Sequence, residues 1–290
     1  MENKSLTIII PAYNEAEAIT DTIKRLEKVG LDENRRLEII VVNDGSTDKT
    51  SEVAKNLGAR VIDHPANGGY GLSIQHGIET ASHELVAITD ADGTYPIEKL
   101  PELIKMVEKE GFDMSVGTRT GKEYKRGLWK YPARILFRWL AEFVAGRKIP
   151  DINSGLRVMR KEKLLPHYKR TCYGFSFTTS ITLIFFLNGY FVGYMPIPYA
   201  KRVGKSKVRH FRDSLRTAQI MISVIAFYNP LKLFLLVCIL TVLLALISLC
   251  VAFIFKIGIL LFFSIFLVST LPIIISLGFQ AETARLKESN

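Results

Sequence analysis

The chain has 290 residues, 48% of them hydrophobic, and a formal net charge of +10, which is enough length for one sizeable soluble core plus a greasier part. Its three cysteines, Cys172, Cys238 and Cys250, show no CxxC spacing, so they read as reduced packing residues rather than a metal site or a disulfide frame. The positive charge gathers in the segment AKRVGKSKVRHFRDSLR, just ahead of the apolar C-terminal part; that placement suits phosphates and anionic lipid rather than nucleic acid.

From the N-terminus, short β-branched runs alternate with helical patterns. LTIII (6–10), EIIVV (38–42), RVI (60–62), LVAIT (85–89) and MSVG (114–117) predict strands. Ala16–Val29, Lys49–Leu57, Gly71–Ala81 and Ile97–Glu110 predict helices, with Ser46 or Thr47 and Pro96 as start signals. The continuous apolar character of the strands predicts a sheet covered on both faces. Leu128–Val144 and Phe211–Tyr228 interleave aromatic and basic residues, a pattern that fits a membrane interface, although the apolar face of the first could instead close the core. Phe175–Gly189 is apolar but short and broken by Thr, Asn and Gly, and is expected to be a buried helix rather than a membrane span.

Leu233–Phe255 and Ile257–Phe279 are each long enough to cross a hydrocarbon core. Lys256 and Gly258 leave room only for a tight turn, which predicts a hairpin with both ends on one side of the membrane. The basic segment before the hairpin then places the N-terminal domain in the cytosol, and no signal peptide is read ahead of the first strand. The expected organisation is a catalytic domain over 1–210, an amphipathic interface helix over 211–230, two spans over 231–282 and a cytosolic tail over 283–290.

Gly, Asn and Asp cluster where strands end: PAYNE after the first, NDGSTD after the second, DADGTYP after the fourth. In an open α/β sheet such loops share the rim where ligands bind. Asp90 and Asp92, one residue apart at a strand end, can offer hard oxygen ligands to Mg²⁺ or Mn²⁺, and a diphosphate leaving group needs such neutralisation. An isolated Asp-x-Asp is more often a solvated acidic turn; its position after a buried run is what raises it here. Asp44 can accept from a nucleotide base or cap the following helix. Asn67–Gly71 (NGGYG) permits close backbone approach to a ligand, but Ile74 stands where a dinucleotide fingerprint would place its third glycine.

Taken in order, PAYNE (11–15), NDGSTD (43–48), DADGTYP (90–96), GTR (117–119), DINSGLR (151–157) and KRVGKSK (201–207) resemble glycosyltransferase family 2 with its GT-A, Rossmann-like α/β fold. With the C-terminal hairpin, the pattern is similar to the polyprenyl-phosphate branch, which includes dolichol-phosphate mannose synthases and bacterial polyprenyl-phosphate glucosyltransferases. The resemblance implies an inverting hexosyltransferase that moves one sugar from a nucleotide-sugar to undecaprenyl or dolichyl phosphate, with Mg²⁺ or Mn²⁺ as cofactor. It implies that Pro11, Tyr13, Glu15, Asp44, Asp90 and Ala91 hold the nucleotide-sugar and that Asp90 and Asp92 hold the metal. Asp92 and Asp151 are then the catalytic carboxylates. Arg119, Arg134, Arg202, Ser206 and Lys207 grip donor and acceptor phosphates, chemistry that suits Arg and Lys; a surface arginine beside an anionic membrane is the rival reading for Arg134 and Arg138.

Two departures stand out. Thr94 occupies the position where mannose synthases of this branch tend to carry Gln, so the third protein ligand of the metal is open. The helix after DINSGLR lacks the acidic residue of many relatives. The short anchor and DADGTYP favour a UDP-sugar, with glucose or N-acetylglucosamine ahead of galactose, over GDP-mannose, and relatives suggest a homo-oligomer. Two rivals remain. A processive polysaccharide synthase calls for a channel and a QxxRW motif, neither visible in the sequence, and a non-catalytic lipid-binding protein predicts a disrupted rim, whereas Asp44, Asp90 and Asp92 are all in place.

Overall fold

The computed structural model describes residues 5–29, 35–121, 131–171, 174, 176–200, 219–220 and 222–288. The chain divides into two compact units, Met1–Ile220 and Met221–Asn290.

The first unit is built on strands β1 (Ser5–Ala12), β2 (Arg36–Asn43), β3 (Arg60–Asp63), β4 (Leu85–Ile88), β5 (Met114–Thr120), β6 (Arg157–Arg160) and β7 (Val192–Pro198). They form one seven-stranded mixed sheet in the order β3-β2-β1-β4-β6-β5-β7. The first four are parallel, with β1 in register with β2 from Ser5 opposite Arg36 to Ala12 opposite Asn43. β6 runs antiparallel to both β4 and β5, and β7 closes the edge parallel to β5. Ile8 and Ile9 of β1 are 1% and 0% exposed, so successive side chains on opposite faces are both covered, as their β-branched run requires.

Helices α1 (Ala16–Lys28), α2 (Thr50–Asn56), α3 (Tyr70–Thr80), α4 (Leu100–Glu108), α5 (Tyr131–Ala145), the short α6 (Lys161–Leu164) and α7 (Phe177–Leu187) cover the sheet. One face packs Ile19, Ile23 and Leu26 of α1 with Leu103 and Val107 of α4; the other packs Ile74 and Ile78 of α3 with Phe177, Ile181 and Phe185 of α7. Every residue of α7 from Phe177 to Phe185 is buried, so this apolar helix is a core element rather than a third span. α5 is two-faced: Ala141 and Val144 are buried while Ile135 and Trp139 are 43% and 53% exposed, and Trp139 stacks on Phe143 at 5.8 Å.

Two helix starts differ from expectation. α2 begins at Thr50, after both Ser46 and Thr47, because those residues are used elsewhere: Ser46 Oγ accepts from Asn14 N and Thr47 N donates to Asn14 Oδ1, while Asp48 accepts from Thr50 N. After Pro96 the chain makes a 3₁₀ turn over Ile97–Lys99 before α4 begins at Leu100. Two strands, β6 and β7, have no counterpart among the predicted runs.

In the second unit, helical backbone over 222–228 precedes α8 (Pro230–Phe255) and α9 (Gly258–Glu288). Asn229 caps α8 by accepting from Lys232 N at 3.2 Å, with Pro230 in the first turn. Lys256 ends α8 in the left-handed region at φ 54°, and the turn there is as tight as the sequence demands. Ser248 Oγ of α8 donates to Leu260 O of α9 at 3.0 Å. Both helices are long and apolar enough to cross a membrane, and they expose side chains such as Phe253, Ile254, Ile259 and Phe262, apolar surface that water solvates at a cost. α9 runs on helically through the segment expected to be a tail, as far as Glu288.

Candidate active site

The site lies outside the carboxyl ends of β1, β2, β3 and β4, at the strand pair β1 and β4 where the sheet order reverses direction. PAYNE and NDGSTD are fastened together there. Asp44 N donates to Ala12 O, Glu15 N donates to Thr50 Oγ1, and Ala16 N donates to Asp48 Oδ2. These bonds set Pro11, Tyr13 and Glu15 beside the end of β2, with Asn14 taking a positive φ of 53° at the bend.

Asp44 is 4% exposed. Its Oδ1 accepts from Gly68 N and from His64 Nδ1, each at 2.8 Å, and its Oδ2 accepts from Gly69 N at 2.8 Å. A buried carboxylate needs such donors to remain charged. Asp44 therefore does not cap α2, whose first amide, Thr50 N, donates to Asp48 Oδ1 instead. The NGGYG stretch likewise has a use other than backbone contact with a ligand: the amides of Gly68 and Gly69 are turned onto Asp44. Gly69 sits at φ 102°, ψ 158°, a region open essentially to glycine alone.

The next residue of the same loop reaches the second acidic group: Tyr70 Oη donates to Asp90 Oδ1 at 3.0 Å. Burial, together with the Asp90 charge, pushes the Tyr70 hydroxyl well above its ordinary pKa, which keeps it a donor. Asp92, 5% exposed, accepts at Oδ1 from Thr94 N at 3.1 Å and Thr94 Oγ1 at 2.6 Å. Thr94 thus orients the carboxylate of Asp92 from a fully buried position. Ala91 is buried between the two acids and its carbonyl accepts from Thr22 Oγ1 at 3.1 Å. Two adjacent carboxylates steadied by hydroxyl donors make a hard oxygen donor set that fits Mg²⁺ or Mn²⁺. No cluster of three His, Cys, Asp or Glu side chains suited to a metal occurs among the described residues, so the remaining ligands would come from phosphate and water.

On the far side of Asp90 lies the DINSGLR loop. Gly155 packs so closely that a Cβ there would stand 2.9 Å from Asp90 Oδ1, and its N–H donates to Tyr95 Oη at 2.7 Å. Asp151, 3% exposed, is held by Arg119 through a bidentate pair, Nε to Oδ2 at 2.7 Å and Nη2 to Oδ1 at 2.9 Å, and by Arg119 N at 3.1 Å. The Arg119 guanidinium also lies 5.4 Å from the ring centre of Tyr199. Two residues assigned to separate tasks are therefore partners.

The structure adds three residues to which the sequence assigned no individual role. His64 and Tyr70 brace Asp44 and Asp90. Arg157 is wholly buried: Nε and Nη2 donate to Ser154 O, and Nη1 donates to Thr178 O and Thr182 Oγ1. It ties the loop to α7, and burial lowers its pKa against the opposing pull of Tyr194, Tyr70, Tyr95 and Asp151. His64 could have been suspected, because it follows β3 on the same rim; Tyr70 and Arg157 lie within NGGYG and DINSGLR, but nothing local shows which group each one holds. Arg134 is placed on α5 by its backbone alone, and Arg202, Ser206 and Lys207 lie outside the described residues.

A chain with this rim has many counterparts. Glucosyl-3-phosphoglycerate synthase from Mycobacterium tuberculosis, solved in complex with Mn²⁺, UDP-glucose and phosphoglyceric acid, superposes with a TM-score of 0.62 at 18% identity, over 76% of this chain and 79% of that one. At that identity the match speaks for the fold. By sequence, a dolichyl-phosphate hexose transferase of Haloferax volcanii is 30% identical over 211 residues, 71% of this chain and 87% of that protein. A dolichol-phosphate mannosyltransferase of Pyrococcus furiosus is 32% identical over 170 residues, 54% of this chain and 46% of that protein, so the chain spans about half of that longer relative. The profile of glycosyl transferase family 2 matches residues 7–165, a stretch that holds Asp44, Asp90, Asp92, Arg119 and Asp151 together, and the chain belongs to that family.

Proposed function

We propose that the chain transfers a single sugar from a nucleotide-sugar, UDP-linked by preference, to a polyprenyl phosphate, with inversion at the anomeric carbon. The observation that carries this reading is the 67–70 loop, which holds Asp44 through Gly68 and Gly69 and Asp90 through Tyr70. One short segment thereby fixes a nucleotide-facing acceptor and a metal-facing carboxylate relative to one another. The named activities of the Haloferax and Pyrococcus relatives support a lipid phosphate as acceptor, and α8 and α9 suit a protein that works beside a bilayer.

In this reading Asp44 receives the base, with Pro11, Tyr13 and Glu15 around it. Asp90 and Asp92 would hold Mg²⁺ or Mn²⁺, which when bound would supply positive charge to a diphosphate leaving group. Asp151 orients Arg119 toward the phosphates, and Arg134, Arg202, Ser206 and Lys207 receive the acceptor. A phosphate monoester has a second pKa of about 6 and is already a dianion for the most part near neutral pH, so no strong general base is required. Catalysis then rests on positioning two anions in line and stabilising the leaving group. The basic segment ahead of α8 favours a catalytic unit on the cytosolic side.

The test is label transfer by the purified full chain in detergent, with undecaprenyl or dolichyl phosphate, a panel of UDP- and GDP-sugars, and Mg²⁺ or Mn²⁺. Lipid-soluble label from one donor is expected, lost with EDTA, restored by added metal and absent in Asp92→Ala. Full activity after rigorous chelation would defeat the metal assignment, and no label from any donor would defeat the reaction.

A further inference from the structure

His64 stands one residue past β3, where its N–H extends the β2–β3 ladder by donating to Asn43 O at 2.9 Å. The imidazole is 7% exposed and bonds at both nitrogens, Nδ1 to Asp44 Oδ1 and Nε2 to His76 Nδ1, each at 2.8 Å. A carboxylate only accepts, so His64 Nδ1 carries a proton. In the neutral ring Nε2 is then the acceptor for His76 Nδ1–H, and His76, from α3, fixes the tautomer. The two rings meet edge to face at 4.8 Å, so the direction in which His64 donates is set by packing as well as by bonding.

The consequence falls on Asp44. An ionised carboxylate has about four acceptor positions, two on each oxygen. Among the described residues Oδ1 takes two donors, His64 Nδ1 and Gly68 N, and Oδ2 takes one, Gly69 N. One position on Oδ2 remains. A uracil or thymine base offers a single imide N–H flanked by carbonyls, which one acceptor satisfies. Guanine offers two parallel donors, N1–H and the 2-amino group, which pair with a carboxylate only when both oxygens can accept. With Oδ1 filled, one guanine donor would be left desolvated and unpaired, the kind of loss that separates substrates most strongly.

We infer that His64 is a specificity-determining positioning residue: by occupying Asp44 Oδ1 it limits the base site to one imide donor and selects a uridine- or thymidine-type diphosphate over a guanosine diphosphate. The inference rests on the reading of Asp44 as the base acceptor.

The experiment is calorimetric titration of UDP, dTDP and GDP, with Mg²⁺, into the full chain and into His64→Ala and His64→Asn. The amide of Asn can donate from near the position of Nδ1, so it keeps Oδ1 occupied. Wild type is expected to prefer UDP or dTDP to GDP by about tenfold or more, the order of one unmade hydrogen bond. His64→Ala weakens UDP and brings the UDP-to-GDP ratio within about threefold, and His64→Asn restores the preference. A general loss of structure would weaken all three diphosphates together, so the ratio, read beside a melting curve, separates selection from stability. Equal or stronger binding of GDP by wild type, or an unchanged ratio in a folded His64→Ala, overturns the inference while leaving nucleotide-sugar transfer intact. No binding of any diphosphate by folded wild type overturns both.

Discussion

Asp44 and Asp151 are both buried carboxylates on the same rim, 4% and 3% exposed, yet they are held in opposite ways. Asp44 is held by two main-chain amides and the imidazole of His64. Asp151 is neutralised by the guanidinium of Arg119 in a two-point pair. Main-chain donors stabilise a carboxylate without cancelling it, which suits a group that must still receive a ligand. A bidentate ion pair consumes the charge and builds a strut. The Asp44 side of the rim is therefore preorganised largely by backbone, and the Asp151 side by side chains.

The largest effect should come from the third carboxylate, which sets the scale for the other two. Asp92→Asn is expected to lower the transfer rate at saturating donor by about 10³-fold or more, several kcal/mol of leaving-group stabilisation, with little change in melting temperature. Next come Asp151→Asn and Asp44→Asn, which should rank in opposite orders by two measurements. Removing one partner of a buried ion pair costs about 3–5 kcal/mol, and because the Arg119 side chain is 17% exposed, the low end, about 3 kcal/mol, is expected for Asp151→Asn in denaturant unfolding. Asp44→Asn sets an amide N–H against a donor and should cost about 1–3 kcal/mol, but raise the donor KM more than tenfold. If Asp151→Asn spares stability and Asp44→Asn spares KM, the contrast between strut and acceptor is broken.

Gly69→Ala sharpens the comparison at a single backbone position. The strain of a side chain at φ 102° is about 1–3 kcal/mol, and the displaced loop should raise donor KM through Asp44 and lower kcat through Tyr70 and Asp90 together. A change in only one of the two would show that the loop does not couple them. The smallest effect lies at Asp63, at the end of β3. Burial alone would raise its pKa, but hydrogen bonds from Lys55, Ser51 and Asn43 outweigh it and hold the carboxyl at about 2 against an ordinary 3.8. A depressed pKa stabilises the fold fully above the unfolded value, and that contribution fades as pH falls from about 3.8 to about 2. Its side chain is 42% exposed, so solvent screens the effect. Asp63→Asn should narrow the gap in melting temperature between pH 6 and pH 3 slightly relative to wild type; an unchanged gap would remove Asp63 from the acid response.

β1, β2, β4 and β5 were legible because LTIII, IIVV, LVAIT and MSVG are continuous apolar runs, the mark of strands covered on both faces, whereas the edge strand β3 was marked only by its short β-branched stretch, Val61 and Ile62. β6 and β7 were not. Arg157–Arg160 begins and ends with arginine and buries the first completely, against every expectation for that residue type. Val192–Pro198 carries two prolines, tolerated because β7 is the edge of the sheet. At the rim, Asp44, Asp90 and Asp92 were readable from strand ends. Their supports were hidden, since Tyr70 meets Asp90 across 20 residues of sequence and His64 meets Asp44 across another 20. Thr94, which raised the question of a missing metal ligand, is explained by its two hydrogen bonds to Asp92.

The most direct test of the account is the composition of the lipid product. Purified full chain would be incubated with its nucleotide-sugar and a polyprenyl phosphate, the extracted lipid weighed by mass spectrometry, and the released nucleoside diphosphate counted against it. The account predicts lipid phosphate plus one sugar residue, with one nucleoside diphosphate released per lipid consumed. A ladder of longer glycans, or nucleoside diphosphate released without modified lipid, would contradict it.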